Sequence, residues 1–206
     1  MKTTDLYDFD TTLLKENGAR YLVGVDEAGR GPLAGPVVVS AVMLDLDSVI
    51  EGINDSKKLS EKKRNTLLPE IEKNAIRITT AVVDEEVIDS VNILKATLLG
   101  MQSCVSMFPI LNDVLVIVDG NVAIPDLPVL QKSIVKGDSK SATIAAASIK
   151  AKTLRDKIMV ESSHFYPMFD FGKNKGYPTK EHIETLKQWG ISDMHRKSFC
   201  KKFFTA

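Results

Sequence analysis

The sequence predicts an α/β protein: a mixed central sheet flanked by helices. Two features of the chain point there. Three strand-like runs come first, and helical and strand-like segments then alternate to the end. The length of 206 residues, with 44% hydrophobic and 26% charged side chains, suits one soluble domain with a substantial core, alone or with a C-terminal extension.

The elements follow in order. Residues 21–25 form an apolar run that reads as a buried strand, and residues 36–44 form a second after a Gly/Pro-rich turn. Ser60 is placed to cap a helix with Glu61 in its first turn and Leu67, Leu68 and Ile71 on its apolar face. Ala75 to Val83 is β-branched and strand-like. Leu94, Leu98, Met101, Val105 and Phe108 give helical spacing over residues 93–108. The run 114–118 is a strand closing on Asp119-Gly120, and 129–135 is a weaker one closing on Lys136-Gly137-Asp138. A long helix is expected over about 141–161, with Ile144, Ala147, Ala151, Leu154 and Ile158 in one stripe. Thr179 caps a last helix that stops before Gly190.

Composition excludes several classes. No apolar run approaches the roughly 18 residues of a membrane span, and the first eight residues lack the apolar core of a signal peptide. Cys104 and Cys200 are too few and too far apart for a disulfide scaffold or a zinc site, so a reducing cytoplasm is the expected home. The balance of 27 basic and 27 acidic residues hides a polarity. Residues 131–206 hold 15 Lys and Arg against 7 Asp and Glu, leaving 12 against 20 in residues 1–130. Such asymmetry suits a polyanion partner for the basic part, and equally a solvated basic surface.

The chemistry concentrates where strands end in acid: Asp26-Glu27, Asp119 and Asp138. In open α/β sheets ligands sit at the strands' carboxyl ends, and hard divalent cations take carboxylate oxygens. Side chains alternate across a strand, so Asp26 and Glu27 need not face one metal. One supplies its carboxylate while the other turns away or binds through its main chain. Taken singly, Asp119 before Gly120 and Asp138 after Gly137 are also ordinary turn formers. Two acids closing an apolar strand repel each other and are harder to explain that way. Carboxylates from separate strands could hold two Mg²⁺ ions roughly 4 Å apart, the arrangement that serves in-line phosphoryl displacement. Gly29-Arg30-Gly31 follows at once, with exposed amides and one cation that suit a phosphate. Gly29-x-Gly31-x-x-Ala34 formally fits a dinucleotide fingerprint, but Pro32, Pro36 and the strand that follows deny it the helix it needs. His164, His182 and His195 lack metal-ligand spacing, so surface or core roles are expected for all three.

These blocks resemble the bacterial ribonuclease HII family (type 2 ribonuclease H). The matching segments are residues 25–36, Asn54-Asp-Ser-Lys-Lys-Leu-Ser60, Val118-Asp-Gly-Asn121, Lys136-Gly-Asp138, Ala145-Ala-Ala-Ser148, Ala151-Lys152, Arg155-Asp156, Gly176-Tyr-Pro-Thr179 and His195-Arg-Lys-Ser-Phe199. They keep the family's order across residues 21–199.

The resemblance implies a ribonuclease H-like fold in a single domain, with a catalytic core over about 18–160 and a C-terminal helical, substrate-binding part over about 161–206. It implies a Mg²⁺- or Mn²⁺-dependent endoribonuclease, with two divalent ions in the active complex and no membrane partner. The expected substrates are RNA–DNA hybrids and DNA duplexes containing single ribonucleotides, cut 5′ of the ribonucleotide to leave 3′-hydroxyl and 5′-phosphate ends by an enzyme acting as a monomer. Asp26, Glu27 and Asp119 match the principal metal-binding carboxylates and Asp138 the fourth. Gly29, Arg30 and Gly31 match the loop that reads the ribose 2′-hydroxyl, and Tyr177 the tyrosine that packs on the adjoining deoxyribose. Lys57, Lys58, Lys136, Ser139, Lys140 and Lys152 are candidate phosphate contacts. Asp156, beside Arg155, is expected to pair locally rather than to serve as the fourth acid. Ribonuclease HIII shares much of the motif set but carries an extra N-terminal domain, for which the 20 residues before the first strand are too few. A non-catalytic binding module on the same fold would lack one or more of the four carboxylates. The C-terminal Phe203-Phe204 could dock on a sliding clamp; packing of the tail on its own domain is the favoured expectation.

Overall fold

The computed structural model describes residues 2–108 and 113–204. Five strands form one sheet in the order β3-β2-β1-β4-β5: β1 (Tyr21–Ala28), β2 (Val37–Leu44), β3 (Ala75–Val83), β4 (Val114–Asp119) and β5 (Leu130–Ile134). β1, β2 and β3 pair antiparallel; β1, β4 and β5 pair parallel. The sheet is therefore mixed, with helices on both faces, as the sequence predicts.

Eight helices accompany it among the described residues: α1 (Thr3–Asn17), α2 (Glu61–Asn74), α3 (Glu85–Val91), α4 (Ile93–Ser106), α5 (Ala142–Phe165), α6 (Phe171–Asn174), α7 (Lys180–Trp189) and α8 (Lys197–Cys200). The predicted caps are in place. Ser60 Oγ accepts from Lys63 N at 3.2 Å and Thr179 Oγ1 from His182 N at 3.2 Å. Strand alternation sorts the core into two layers. Val23, Val25, Val39, Ala41, Val116 and Val118 face α4, while Leu22, Val42, Leu115 and Ile117 face α5, α1 and α2.

Three departures from the sequence reading have physical causes. First, the acids lie within β1 rather than after it. The parallel ladder to β4 stops at Val25↔Val118, but the antiparallel ladder to β2 continues through Asp26↔Ser40, Glu27↔Val39 and Ala28↔Val38. Second, α1 belongs to the core that was expected to begin near residue 18. It buries Leu6, Tyr7 and Leu13, and buried Asp10 accepts from Thr143 N at 2.9 Å and Thr143 Oγ1 at 2.7 Å. Third, α3, α6 and α8 span seven residues or fewer, too short to show a period.

Gly24 explains how α5 reaches the sheet. A Cβ there would stand 2.5 Å from the backbone of Thr143 and Ile144. The missing side chain lets the first turn of α5 press on the middle of β1, beside Asp26.

Candidate active site

The parallel pair β1–β4 carries Asp26, Glu27 and Asp119 at its carboxyl end, and the Gly137–Ser139 turn leading into α5 carries a fourth acid, Asp138. Asp26 and Asp119 share the sheet face that α5 covers, in step with Leu22 and Gly24 on one strand and Leu115 and Ile117 on the other. One oxygen each of Asp26, Asp119 and Asp138 lies within 4.8 Å of the others. Glu27 takes the opposite face, as alternation requires. With Arg30 it borders a cleft lined by Leu94, Leu98, Met101, Asp119 and Asn121, and Arg30 Nη1 donates to Glu27 Oε1 at 3.4 Å.

This pocket holds its charge at a cost. Asp26 is 1% exposed. Its Oδ1 accepts from Glu27 N at 2.7 Å, while Oδ2 is buried and among the described residues has no hydrogen-bond partner. Burial, then the Glu27 and Asp119 charges, raise the Asp26 carboxyl well above the usual carboxylate range. Burial and Asp119 raise Asp138 as well, and burial raises Glu27 against the pull of Arg30. Asp119 Oδ1 is held by Gly137 N at 2.7 Å, which fixes the turn carrying Asp138. An unpartnered buried oxygen amid convergent carboxylates fits a hard divalent cation, which takes oxygen ligands and relieves the repulsion.

Among the basic candidates, Lys57 Nζ meets Asp138 Oδ2 at 3.3 Å. Burial pulls Lys57 down, but Asp26 and Asp138 more than offset this and leave it raised. Lys58 lies 3.8 Å from Asp55. Lys152 Nζ is 2.7 Å from Asp156 Oδ1. Asp156 pairs locally with that lysine and, across the fold, with Arg64 at 3.2 Å. Arg64 in turn donates to Ser56 O and Leu59 O, holding the segment that presents Lys57. Ser139 Oγ donates to Lys136 O at 3.0 Å, and Lys136 is left-handed with φ 57°, at the mouth of the acidic turn.

The Gly29–Pro36 loop is held from behind by two arginines that the sequence reading gave no role. Arg155 and Arg196 are each 0% exposed. Arg196 donates to the carbonyls of Gly29, Arg30, Pro32 and Gly35; Arg155 donates to those of Ala34, Pro36 and Lys175. Across a trans peptide the carbonyl of one residue and the N–H of the next point in opposite directions. Drawing the Gly29 and Arg30 carbonyls inward therefore turns the N–H groups of Arg30 and Gly31 outward. Among the described residues neither N–H meets a protein acceptor. Gly29 has φ +101°, and a Cβ there would run into the Arg155 side chain. Arg155 could have been noticed from its spacing, four residues after Ala151 and three before Ile158, a cation on a core stripe. No comparable pattern surrounds Arg196.

Tyr177 is 43% exposed, so it is not a core tyrosine. Its ring stands 3.8 Å from where a Gly31 Cβ would lie, which puts it beside the outward amides. His164 is exposed, while His182 and His195 are buried and hydrogen-bonded to each other. An apolar cavity of about 170 Å³, lined by Val23, Val114 and Val116, lies near the amino ends of β1 and β4, away from the acids.

Known proteins similar to this chain share one family description. The family model described as "Ribonuclease HII" matches residues 23–202. Ribonuclease HII of Caldicellulosiruptor saccharolyticus is 49% identical over 195 residues, 95% of this chain and 94% of that protein. Ribonuclease HII of Vibrio parahaemolyticus is 50% identical over 182 residues, 88% of this chain and 85% of that protein. Among solved structures, the RNase HII in the Archaeoglobus fulgidus PCNA:RNase HII complex superposes with a TM-score of 0.73 at 26% identity, over 90% of this chain and 97% of that one. Ribonuclease H2 from Pyrococcus horikoshii gives 0.70 at 25% identity, over 89% and 97%.

Proposed function

The chain belongs to the ribonuclease HII family and is an endoribonuclease of RNA–DNA hybrids, and we propose that it also incises DNA duplexes 5′ of single embedded ribonucleotides. The observation that carries the proposal is the convergence of Asp26, Asp119 and Asp138 within 4.8 Å, with Asp26 two residues of β1 before a loop whose amides face outward beside Tyr177.

Asp26, Asp119 and Asp138 would hold two Mg²⁺ or Mn²⁺ ions, with Glu27 reaching them from the other face of β1. Ions bound there supply an activated water and stabilise charge on the departing 3′ oxygen. The protein's own contributions are positional. Arg30 N–H and Gly31 N–H are directed to the ribose 2′-hydroxyl, the group that separates RNA from DNA at a given site. The Tyr177 ring packs on the next sugar and favours one without that hydroxyl. Lys57, Lys58, Ser139 and Lys140 surround the acidic turn and would take phosphate oxygens along the strand. Lys57 leaves Asp138 in doing so.

In this reading the chain works as a monomer. Phe203 packs with Leu33, Leu186 and Cys200 while Phe204 is half exposed, which supports a tail resting on its own domain rather than on a sliding clamp. Thr205 and Ala206 lie outside the described residues.

Cleavage of an end-labelled DNA duplex holding one ribonucleotide tests the proposal. With Mg²⁺ or Mn²⁺ the expected product is a single cut on the 5′ side, ending in a 3′-hydroxyl, with the all-DNA duplex intact. Cutting of both duplexes alike, or only on the 3′ side, would sink it.

A further inference from the structure

We infer that His182 and His195 are positioning residues for ribonucleotide recognition, a buried imidazole pair that ties Tyr177 to the Gly29–Pro36 loop. The inference rests on the roles proposed above for that loop and for Tyr177.

The two rings meet Nε2 to Nε2 at 3.1 Å, and each is 1% exposed. Their outer nitrogens fix where the protons sit. His182 Nδ1 lies 2.8 Å from Tyr177 O, and a carbonyl only accepts, so this nitrogen carries the hydrogen. His195 Nδ1 lies 3.0 Å from Ser192 N and 2.8 Å from Ser192 Oγ; an amide only donates, so this nitrogen is bare and the hydroxyl donates to it as well. With each ring neutral, His195 Nε2–H must then donate to His182 Nε2. The result is one directed chain: Ser192 N–H to His195, His195 to His182, His182 to the carbonyl of Tyr177. A second proton on His182 would set two N–H groups head to head.

Each end of this chain is anchored to one half of the recognition site. His195 forms an isolated antiparallel bridge with Ala34; its neighbours extend the contact, with Gly35 N donating to Met194 O and Arg196 N to Leu33 O, each at 2.8 Å. At the other end His182 holds the Tyr177 carbonyl, while Leu33 N donates to Gly176 O at 2.8 Å. Phe169 and Phe171 pack against both rings, with centroid distances of 4.6 Å from Phe169 to His195 and 5.6 Å from Phe171 to His182. The stack keeps water out and leaves the imidazoles little freedom to tilt. Burial lowers both rings' proton affinity, taking His195 to about 4 with help from His182. The height of the Tyr177 ring over Gly31 is thereby set through hydrogen bonds that touch no substrate.

A merely structural pair would affect every substrate equally; a positioning pair acts through Tyr177. The test is a double-mutant cycle of His182→Gln and Tyr177→Ala, read on the single-ribonucleotide duplex and on a long RNA–DNA hybrid. The glutamine amide reaches the position of Nε2, where its oxygen accepts from His195, and leaves no donor at the position of Nδ1 beside Tyr177 O. His182→Gln is expected to raise KM on the single-ribonucleotide duplex about tenfold, the scale of one lost hydrogen bond. On the long hybrid it should change KM and kcat by less than about twofold, and in the Tyr177→Ala background it should add nothing. Costs that multiply in the double variant, or that fall equally on both substrates, would overturn the inference alone. If Tyr177→Ala cuts the single-ribonucleotide duplex normally, the role of Tyr177 is wrong and the inference falls with it. A second measurement needs no variant. Nitrogen-15 imidazole spectra at pH 7 should show His182 as the Nδ1–H tautomer and His195 as the Nε2–H tautomer. The reverse assignment, or a doubly protonated ring, would overturn the arrangement.

Discussion

The acidic pocket and the Gly29–Pro36 loop are separated by two residues of β1, yet they are built on opposite terms. The pocket collects carboxylates that repel one another and leaves Asp26 Oδ2 buried without a partner among the described residues. In the loop, the carbonyls of Gly29, Arg30, Pro32, Ala34, Gly35 and Pro36 each accept from a buried guanidinium. The first region is destabilised until something positive arrives. The second is finished before any ligand binds, so its outward amides are already aimed. On the proposed function, the difference separates a place suited to capturing ions from a place suited to discriminating by shape, and shape needs rigidity.

Substitutions should divide the same way. Asp26→Asn is expected to cost about 10³-fold or more in kcat on any substrate, since it disrupts the ion-binding set. Its melting temperature should hold or rise, because a repelling charge is gone; a large fall would mean that Asp26 is a structural acid. Arg196→Met should do the reverse, destabilising the fold by about 3 kcal/mol or more as several buried carbonyls lose their donor. Chemical denaturation checks it, and a loss within about 0.5 kcal/mol would show that the loop holds itself.

The two regions should also oppose each other in pH. Folding raises the Asp26 carboxyl, so its protonated form is favoured and the associated stability fades as pH climbs through the folded value. Folding lowers His195 to about 4, so its stability is complete above the unfolded value of 6.5 and fades as pH falls towards 4. For His195 the full swing is about 3 kcal/mol. In metal-free protein between pH 4 and 6.5 these slopes partly cancel. Asp26→Asn should steepen the loss towards acid, and His195→Gln should flatten it. Parallel curves for both variants would deny the contrast.

The smallest effect belongs to Tyr177→Ala. It should lower single-ribonucleotide incision about tenfold and long-hybrid cutting less, with no change in stability beyond about 0.5 kcal/mol for a half-exposed ring.

How much of this the sequence reveals follows the same divide. Asp26 and Glu27 are visible because two adjacent acids closing an apolar run repel each other; Asp119 and Asp138, each an ordinary turn former alone, are legible only beside that pair and through the family motifs. The strands and helices α2, α4, α5 and α7 are visible through their periods, and the Ser60 and Thr179 caps through their residue type. The support of the loop is hidden. Arg155 and Arg196 hydrogen-bond to carbonyls, and every residue type supplies the same carbonyl. His182 and His195 lie 13 residues apart with no ligand spacing, so only the fold shows them meeting. The pairing of Lys152 with Asp156 is likewise shown only by the fold. The helix at residues 3–17 went unread because its docking depends on Asp10 meeting Thr143, a contact 133 residues distant.

The central claim is that Asp26, Asp119 and Asp138 enclose a cation site. Anomalous diffraction from crystals soaked in Mn²⁺ tests it most directly. The strongest peak should lie among those three carboxylates and vanish in Asp119→Asn crystals. Manganese bound elsewhere, with that pocket empty in crystals of an enzyme that still cuts, would contradict it.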